Sequence, residues 1–569
     1  MKSFSKFFIP VLAAGLFAAC SDDNNDSPML PEDEPAEGVN MTISLKLPTT
    51  VGGRADETVK NPVGEETGKD FENKINKVLL VLADPTSNAF IAQAVTTTLT
   101  PDANTATVTA KSKFNKSVLV NYITEKGQDL TDVNVYAFCN PSAEFESAIA
   151  TRSRGDKAET WINTANTLTA DVLKYSDISA SSTGIPMANK EIVKTSLPSI
   201  TAIESGEYSV AEKAFPLNGT EPISVIRSIA RFDYKSGKAN DIYPIKIKSV
   251  DEDGNITDIE NGLQIKLTHM TLVNLSKSYY LLHRVSTDKI STEYTSVDSK
   301  VTMCGSYDDT FIADTDWSNK VTSNFLHGYN ATSKRFDWPT ATALNALNGD
   351  DNDDEWNAGS KEEYNGYQIW RYVTENTIPS PAQNQKAGVS TGVVFRGILE
   401  ATTTTPEALK TALSGTAPIY IYKDGTIFAS WDAVKTEALK GENANTAIKA
   451  AYDAYTAATD DKKDETLVEH GFTIYRHYDG IGYCTLYYYW NRHVDNNLDG
   501  VMGEKEFGVV RNNVYKLSVT EISGLGHTRE PGDDPDPIIP DTPDEKSDVH
   551  IKVSCKVTPW TVRVNKIKF

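Results

Sequence analysis

A strand with no neighbour in sequence has to find a sheet somewhere, and this 569-residue chain carries such a segment near each extremity. Towards the C-terminus, Val549, Ile551, Val553, Cys555 and Val557 alternate with His550, Lys552, Ser554 and Lys556, the period of two that gathers apolar side chains on one face of a strand. Residues 526–548 precede it as a Pro-rich tether, with Pro531, Pro535, Pro537, Pro540 and Pro543 set among Asp and Glu. Such backbone stays extended and solvated, and at about 3.1 Å per residue it reaches roughly 70 Å. Burying five mid-sized apolar side chains is worth roughly 8–15 kcal/mol gross, before the entropy of ordering them is subtracted. The segment 549–569 therefore reads either as a donor strand that completes another molecule's sheet or as a last strand folding back on its own domain.

The other end supplies the vacancy a donor would need. Val39, Met41, Ile43, Leu45 and Leu47 alternate with Asn40, Thr42, Ser44 and Lys46, the same period at nearly the same length. Residues 1–20 read as a secretory signal, with Lys2 and Lys6, an apolar run from Phe7 to Phe17, and Ala18 and Ala19 before Cys20. Cys20 in that setting resembles a lipobox cysteine that takes a covalent lipid, and the acidic run 21–26 resembles the signal that sends lipoproteins of the Bacteroides group to the cell surface. The apolar run is too short for a membrane span. After the leading strand, Pro48 to Gly53 lead to Arg54, a flexible site open to an arginine-specific protease cutting between Arg54 and Ala55; Arg152 and Arg154 are rival sites. Cutting there would release residues 21–54, the acidic tether and leading strand, from the mature chain.

Between these ends the chain reads as mainly β. Runs such as 76–83, 132–139, 223–234, 263–275, 388–399, 416–422, 485–490 and 513–522 are rich in Val, Ile, Tyr, Phe and Thr and are separated by polar turns, the pattern of β-sandwiches. Within residues 405–460, Pro406–Leu413, Trp431–Leu439 and Thr446–Ala458 read as helices inserted in the second domain. The polar segment 286–300 suggests a boundary between domains 55–288 and 289–525, with an earlier one near Lys238 as the alternative. A net charge of −22 argues against nucleic acid, which needs cationic surface. Cys139, Cys304, Cys484 and Cys555 lie too far apart for a zinc site and read as small apolar residues.

The segment Tyr487-Tyr488-Tyr489-Trp490-Asn491-Arg492-His493, the run Glu506 to Val519 and the ending Val557-Thr558-Pro559-Trp560-Thr561-Val562 resemble the C-terminal signature of Mfa-type fimbria major subunits. Asn134 to Asn140, Ile185-Pro186-Met187, Arg227-Ser228-Ile229-Ala230-Arg231-Phe232 and Tyr372 to Thr377 resemble the same fimbrillins and their FimA-type relatives. The resemblance implies two transthyretin-like β-sandwich domains in tandem and export as a lipoprotein lipid-anchored to the outer membrane. It further implies arginine-specific removal of the leading strand and polymerisation by C-terminal strand exchange into a cell-surface fimbria. The implied partners are other copies of the chain, anchor and tip accessory subunits, the maturing protease, and a host or bacterial surface receptor, in support of adhesion and biofilm formation.

Competing chemistries are weaker. Asp495, Asn497, Asp499 and Glu506, with Gly500 between, match the spacing of an EF-hand calcium loop, but they join two strand-like runs instead of two helices, so a solvated hairpin loop is the preferred reading and no cofactor beyond the lipid is expected. Arg227 and Arg231 read as structural ion pairs. The block Tyr487–Trp490 reads as core packing before it reads as a sugar-stacking surface. No HExxH, P-loop or dinucleotide motif occurs, so the expectation is a structural protein. The alternative is a monomeric surface lipoprotein that binds glycan or a host ligand.

Overall fold

The computed structural model describes residues 37–48 and 66–561, apart from 103–104, 129, 169–177, 179–183, 305–310, 317–319, 321–324, 331–334, 337–341, 345–365, 442–443, 495, 497, 499, 529–542 and 545–549. Cys20, Arg54, Ala55 and Val549 lie outside the described residues.

The first body is one sheet wrapped around one core. Its strands run in the order Phe90–Thr96, Val78–Ala83, Asp132–Cys139, Met187–Asn189, Ile223–Arg227, Gly38–Lys46, Thr107–Asn115 and Leu99–Asp102. Val78–Ala83 is buried on both faces, as its uninterrupted apolar run requires. The sheet folds over at Ile223–Arg227: Ile223 and Ser224 pair with Leu45 and Lys46, while Val225, Ile226 and Arg227 pair with Asn189, Ala188 and Met187. Ile43, Leu79, Phe138 and Val225 meet in the core thus enclosed. The helices of this body absent from the sequence reading include Lys116–Lys126, capped by the Asn115 side chain, and Ala143–Ala150, capped by Ser142.

The second body is a two-sheet sandwich. One sheet is ordered Glu66–Thr67, Ile551–Thr561, Asn513–Ile522, Ile229–Tyr234 and Gln368–Thr374. The other is built on Ile242–Val250, Ile256–Val273, Gly392–Ala401 and Gly482–Trp490. Phe232, Val373 and Tyr515 from the first sheet pack against Ile265, Phe395 and Tyr487 from the second. Glu407–Ser414, Trp431–Ala438 and Thr446–Ala457 form the expected helices, joined by Lys463–Glu469; the last three share a small core of Val434, Ile448, Ala451 and Leu467.

The chain passes between bodies at Ser228, with Ile223–Arg227 in one sheet and Ile229–Tyr234 in another. A division between 288 and 289 is therefore displaced, and the runs at Ile223 and Leu263 do not share a sheet. The polar stretch 286–300 is not a linker. Leu281, Leu282, Val301 and Met303 on either side of it pack into the core of the first body. Its polar side chains are spent on the turn itself, where Asp288 accepts hydrogen bonds from Ser286, Ile290 and Ser291.

Candidate functional site

The leading strand Gly38–Lys46 lies inside the first sheet, with neighbours on both sides. Along one edge nine residues pair antiparallel with Thr107–Asn115, from Gly38↔Asn115 to Lys46↔Thr107. Along the other edge it pairs in parallel with Phe215–Pro216 and with Ile223–Arg227. Its alternation is complete: Val39, Met41, Ile43, Leu45 and Leu47 are at most 2% exposed. Asn40 adds two bonds to the Tyr208 carbonyl, from its backbone N–H at 2.8 Å and its side-chain amide at 3.0 Å. Taking this strand away would expose two rows of backbone donors and acceptors and a trough lined with apolar side chains, a template that a second strand of period two fits.

The trailing strand Ile551–Thr561 sits differently. It pairs with Asn513–Ile522 of its own chain, from Ile522↔Ile551 to Asn513↔Pro559, with a bulge between Val519 and Glu521. This is the fold-back arrangement. Ile551 is buried, while Val553 and Cys555 are half-buried against the second core; Val557 stands opposite Tyr515. Among the described residues its outer edge is covered at Trp560 and Thr561 alone, where Glu66–Thr67 pairs in parallel. The tether touches down on the way: His527 bridges Leu486, Pro543 bridges Lys386, and the buried Asp544 accepts a hydrogen bond from Ser390 Oγ.

Just after the segment that holds Arg54, the chain is locked by a buried polar cluster. The short helix Asp70–Asn73 places Glu72 against Arg231 Nη1, at 2.9 and 3.1 Å, and against the Tyr372 hydroxyl at 2.5 Å. Arg231 is held from its other side by Asp233 at 2.7 and 2.8 Å. Arg227 donates to Asn73 Oδ1 at 2.5 Å and to the Glu72 carbonyl at 3.3 Å. Burial pulls the Arg227 guanidinium down to about 9, and burial first, then the Glu72 carboxylate, pushes the Tyr372 hydroxyl well up. Arg231 is thus a structural ion pair, and the cluster fastens the start of the first domain to the junction of the two bodies. Glu72 was not singled out by sequence reasoning, because Asp70 and Glu72 in Lys69-Asp70-Phe71-Glu72-Asn73 form no local pattern.

The remaining candidates resolve into structure. Tyr487, Tyr488 and Trp490 are buried in Gly482–Trp490 and Tyr489 is half-buried, so the aromatic block is mostly core. Cys139, Cys304 and Cys484 are buried free thiols, Cys555 is half-buried, and burial pushes the Cys139 thiol up to about 12. Of the calcium-loop candidates, Asp495, Asn497 and Asp499 lie outside the described residues. Glu506 is buried, with one carboxylate oxygen paired to Arg492 and the other accepting the Gly503 N–H at 2.7 Å. Among the described residues no His, Cys, Asp and Glu cluster has the arrangement to hold a metal ion, and no helix is long and apolar enough to cross a membrane.

Residues 476–566, which span the strand Gly482–Trp490, the strand Asn513–Ile522 and the trailing strand, match the family model described as Major fimbrial subunit protein type IV, Fimbrillin, C-terminal. The C-terminal part of the second β-sandwich body is therefore similar to a fimbrillin C-terminal region. No curated protein matches it in sequence. Solved structures similar to it include a Parabacteroides distasonis protein provisionally assigned to cell adhesion, with 11% identity, 93% and 99% of the two chains covered and a TM-score of 0.41. A fimbrilin (fimA) from Porphyromonas gingivalis is similar at 13% identity, with 92% and 98% covered and a TM-score of 0.33. The tip fimbrial protein Mfa3 of the same species, truncated at its C-terminus, is similar at 9% identity, with 92% and 100% covered and a TM-score of 0.33.

Proposed function

We propose that this chain is the major, shaft-forming subunit of the fimbria, made as a precursor lipidated on Cys20, matured by cleavage between Arg54 and Ala55, and polymerised by insertion of the trailing strand of one copy into the slot vacated by the leading strand of the next. The observation that carries the reading is the position of Gly38–Lys46: it is an interior strand, one face wholly apolar, connected to the rest of its domain through the stretch that contains Arg54. A strand in that place is indispensable to the sheet, yet its loss leaves behind a groove of matching pattern. Val549, Ile551, Val553, Cys555 and Val557 repeat the alternation of Val39 to Leu47, and the Pro-rich tether gives the reach to a neighbouring copy. Anchor and tip subunits at the two ends of the polymer and a surface receptor complete the set of partners, and the role is structural and adhesive, without catalysis.

The test is treatment of the purified precursor with an arginine-specific protease. Ladders resistant to denaturant, whose mature chains begin at Ala55, are the expected result, and removal of residues 549–569 is expected to abolish the ladder while leaving a folded precursor. Filaments assembled by the tail-less chain would remove the trailing strand as donor. A precursor that is clipped and stays monomeric would point to a monomeric surface lipoprotein instead.

A further inference from the structure

Away from both strands, the second body holds a buried lysine boxed in by a carboxamide and two carboxyl groups. Lys320 Nζ lies 2.8 Å from Asp314 Oδ2, 2.8 Å from Asp316 Oδ1 and 2.9 Å from Asn376 Oδ1. Asn376 is fully buried and cannot turn, because its Nδ2 donates to the Asn274 carbonyl at 3.2 Å, the Val389 carbonyl at 2.9 Å and Thr391 Oγ1 at 2.9 Å. Its carbonyl oxygen is thereby aimed at the lysine. Asp314 Oδ2 also accepts the backbone N–H of Thr377 at 2.7 Å, so this carboxyl lies between the lysine and the residue next to the amide. Asp314 Oδ1 is buried and accepts no hydrogen bond among the described residues.

Two carboxylates and one ammonium would leave a net negative charge in a dry interior, which is costly unless a carboxyl takes a proton. Burial pushes the Asp314 carboxyl well above the usual carboxylate range, with Asp316 adding to the effect. The site thus brings together an amine, an immobilised amide and a proton-carrying carboxyl in contact, the three parts that amide exchange needs.

We propose that Lys320 and Asn376 are joined by an intramolecular amide crosslink formed after folding, with Asp314 and Asp316 as proton carriers. Lys320 gives a proton to Asp316, and the neutral Nζ attacks Asn376 Cγ. The bond from Nζ to Cγ forms, the bond from Cγ to Nδ2 breaks, and the Asp314 proton goes to the departing nitrogen. Ammonium plus carboxamide become a secondary amide plus one ammonium ion, so atoms and charge balance with no oxidant or reductant. The crosslink would fasten the excursion carrying Val301–Met303 and Phe325–Leu326 to the end of the strand Gln368–Thr374.

Tryptic digestion of the folded full chain tests this. A crosslinked chain resists cutting at Lys320 and yields one branched peptide, residues 301–334 joined to 372–386, lighter than the two together by one ammonia. Recovery of free 301–320 and free 372–386 from folded protein overturns the proposal. Lys320→Arg, which keeps the charge, is expected to release both peptides and to lose part of the protein's resistance to unfolding. Asp314→Asn is expected to fold and remain uncrosslinked; a crosslink persisting in it would overturn the assigned proton path. Should either variant fail to fold, the digest of the unaltered chain decides alone.

Discussion

The leading and trailing strands have the same alternation and are seated in opposite ways. Gly38–Lys46 is an interior strand with partners on both edges and every inward side chain buried. Ile551–Thr561 has one long partner, a short one at Trp560 and Thr561, and half-buried Val553 and Cys555. Period two alone specifies which face is apolar; how tightly a strand is held depends on how many edges and how much of that face the rest of the molecule covers. The strand proposed to be cut away is the one on which the sheet depends more, and the strand proposed to move is the one held less.

The sharpest way to break this contrast is to place a charge on each strand in turn. Ile43→Asp buries a carboxylate in the core and is expected to cost more than about 4 kcal/mol or prevent folding, while Val553→Asp is expected to cost about 1 kcal/mol; equal urea midpoints would erase the distinction. Acid should act on neither strand first. Burial, with Arg511 nearby, holds the fully buried His283 imidazole down at about 3. The folded state therefore keeps His283 neutral while the unfolded chain takes up a proton near the ordinary histidine value, so its contribution is complete above about pH 6.5 and is lost as pH falls towards 3, by up to about 4 kcal/mol. Denaturant titrations across that window should show a slope that His283→Phe flattens. Arg231→Ala, which leaves Glu72 buried without its cation, is expected to cost about 3–5 kcal/mol and should do so equally in precursor and cleaved protein; dependence on cleavage would tie the cluster to the leading strand. The smallest effect is expected of Asp544→Ala, about 1 kcal/mol, read as faster amide exchange in Ile551–Lys556 with Met41–Leu45 unchanged.

Both strands were legible because alternation is a local signal, and so were the inserted helices, whose Ala, Leu, Lys and Glu runs begin at Ser430 and Asn445 caps. The helix Lys116–Lys126 escaped because its apolar residues, with Leu119, Tyr122 and Ile123 buried and Val118 and Val120 partly so, include several β-branched side chains and form no clear helical stripe. The domain junction escaped for another reason. Ser228 separates two β-rich runs without glycine or proline to mark it, whereas the polar 286–300 has the composition of a linker and the contacts of a surface turn. Glu506, the residue that completes the calcium spacing, is held by Arg492 and the Gly503 N–H. The cluster around Glu72 gathers residues 72, 227, 231 and 372, and no window of sequence contains them together.

The nine-pair ladder between Gly38–Lys46 and Thr107–Asn115 has a mechanical corollary. Its rungs lie across the strand axis, so tension applied lengthwise strains all of them at once, whereas tension applied sideways would open them singly. Any segment lodged in that position inherits the same shear resistance along the strand axis.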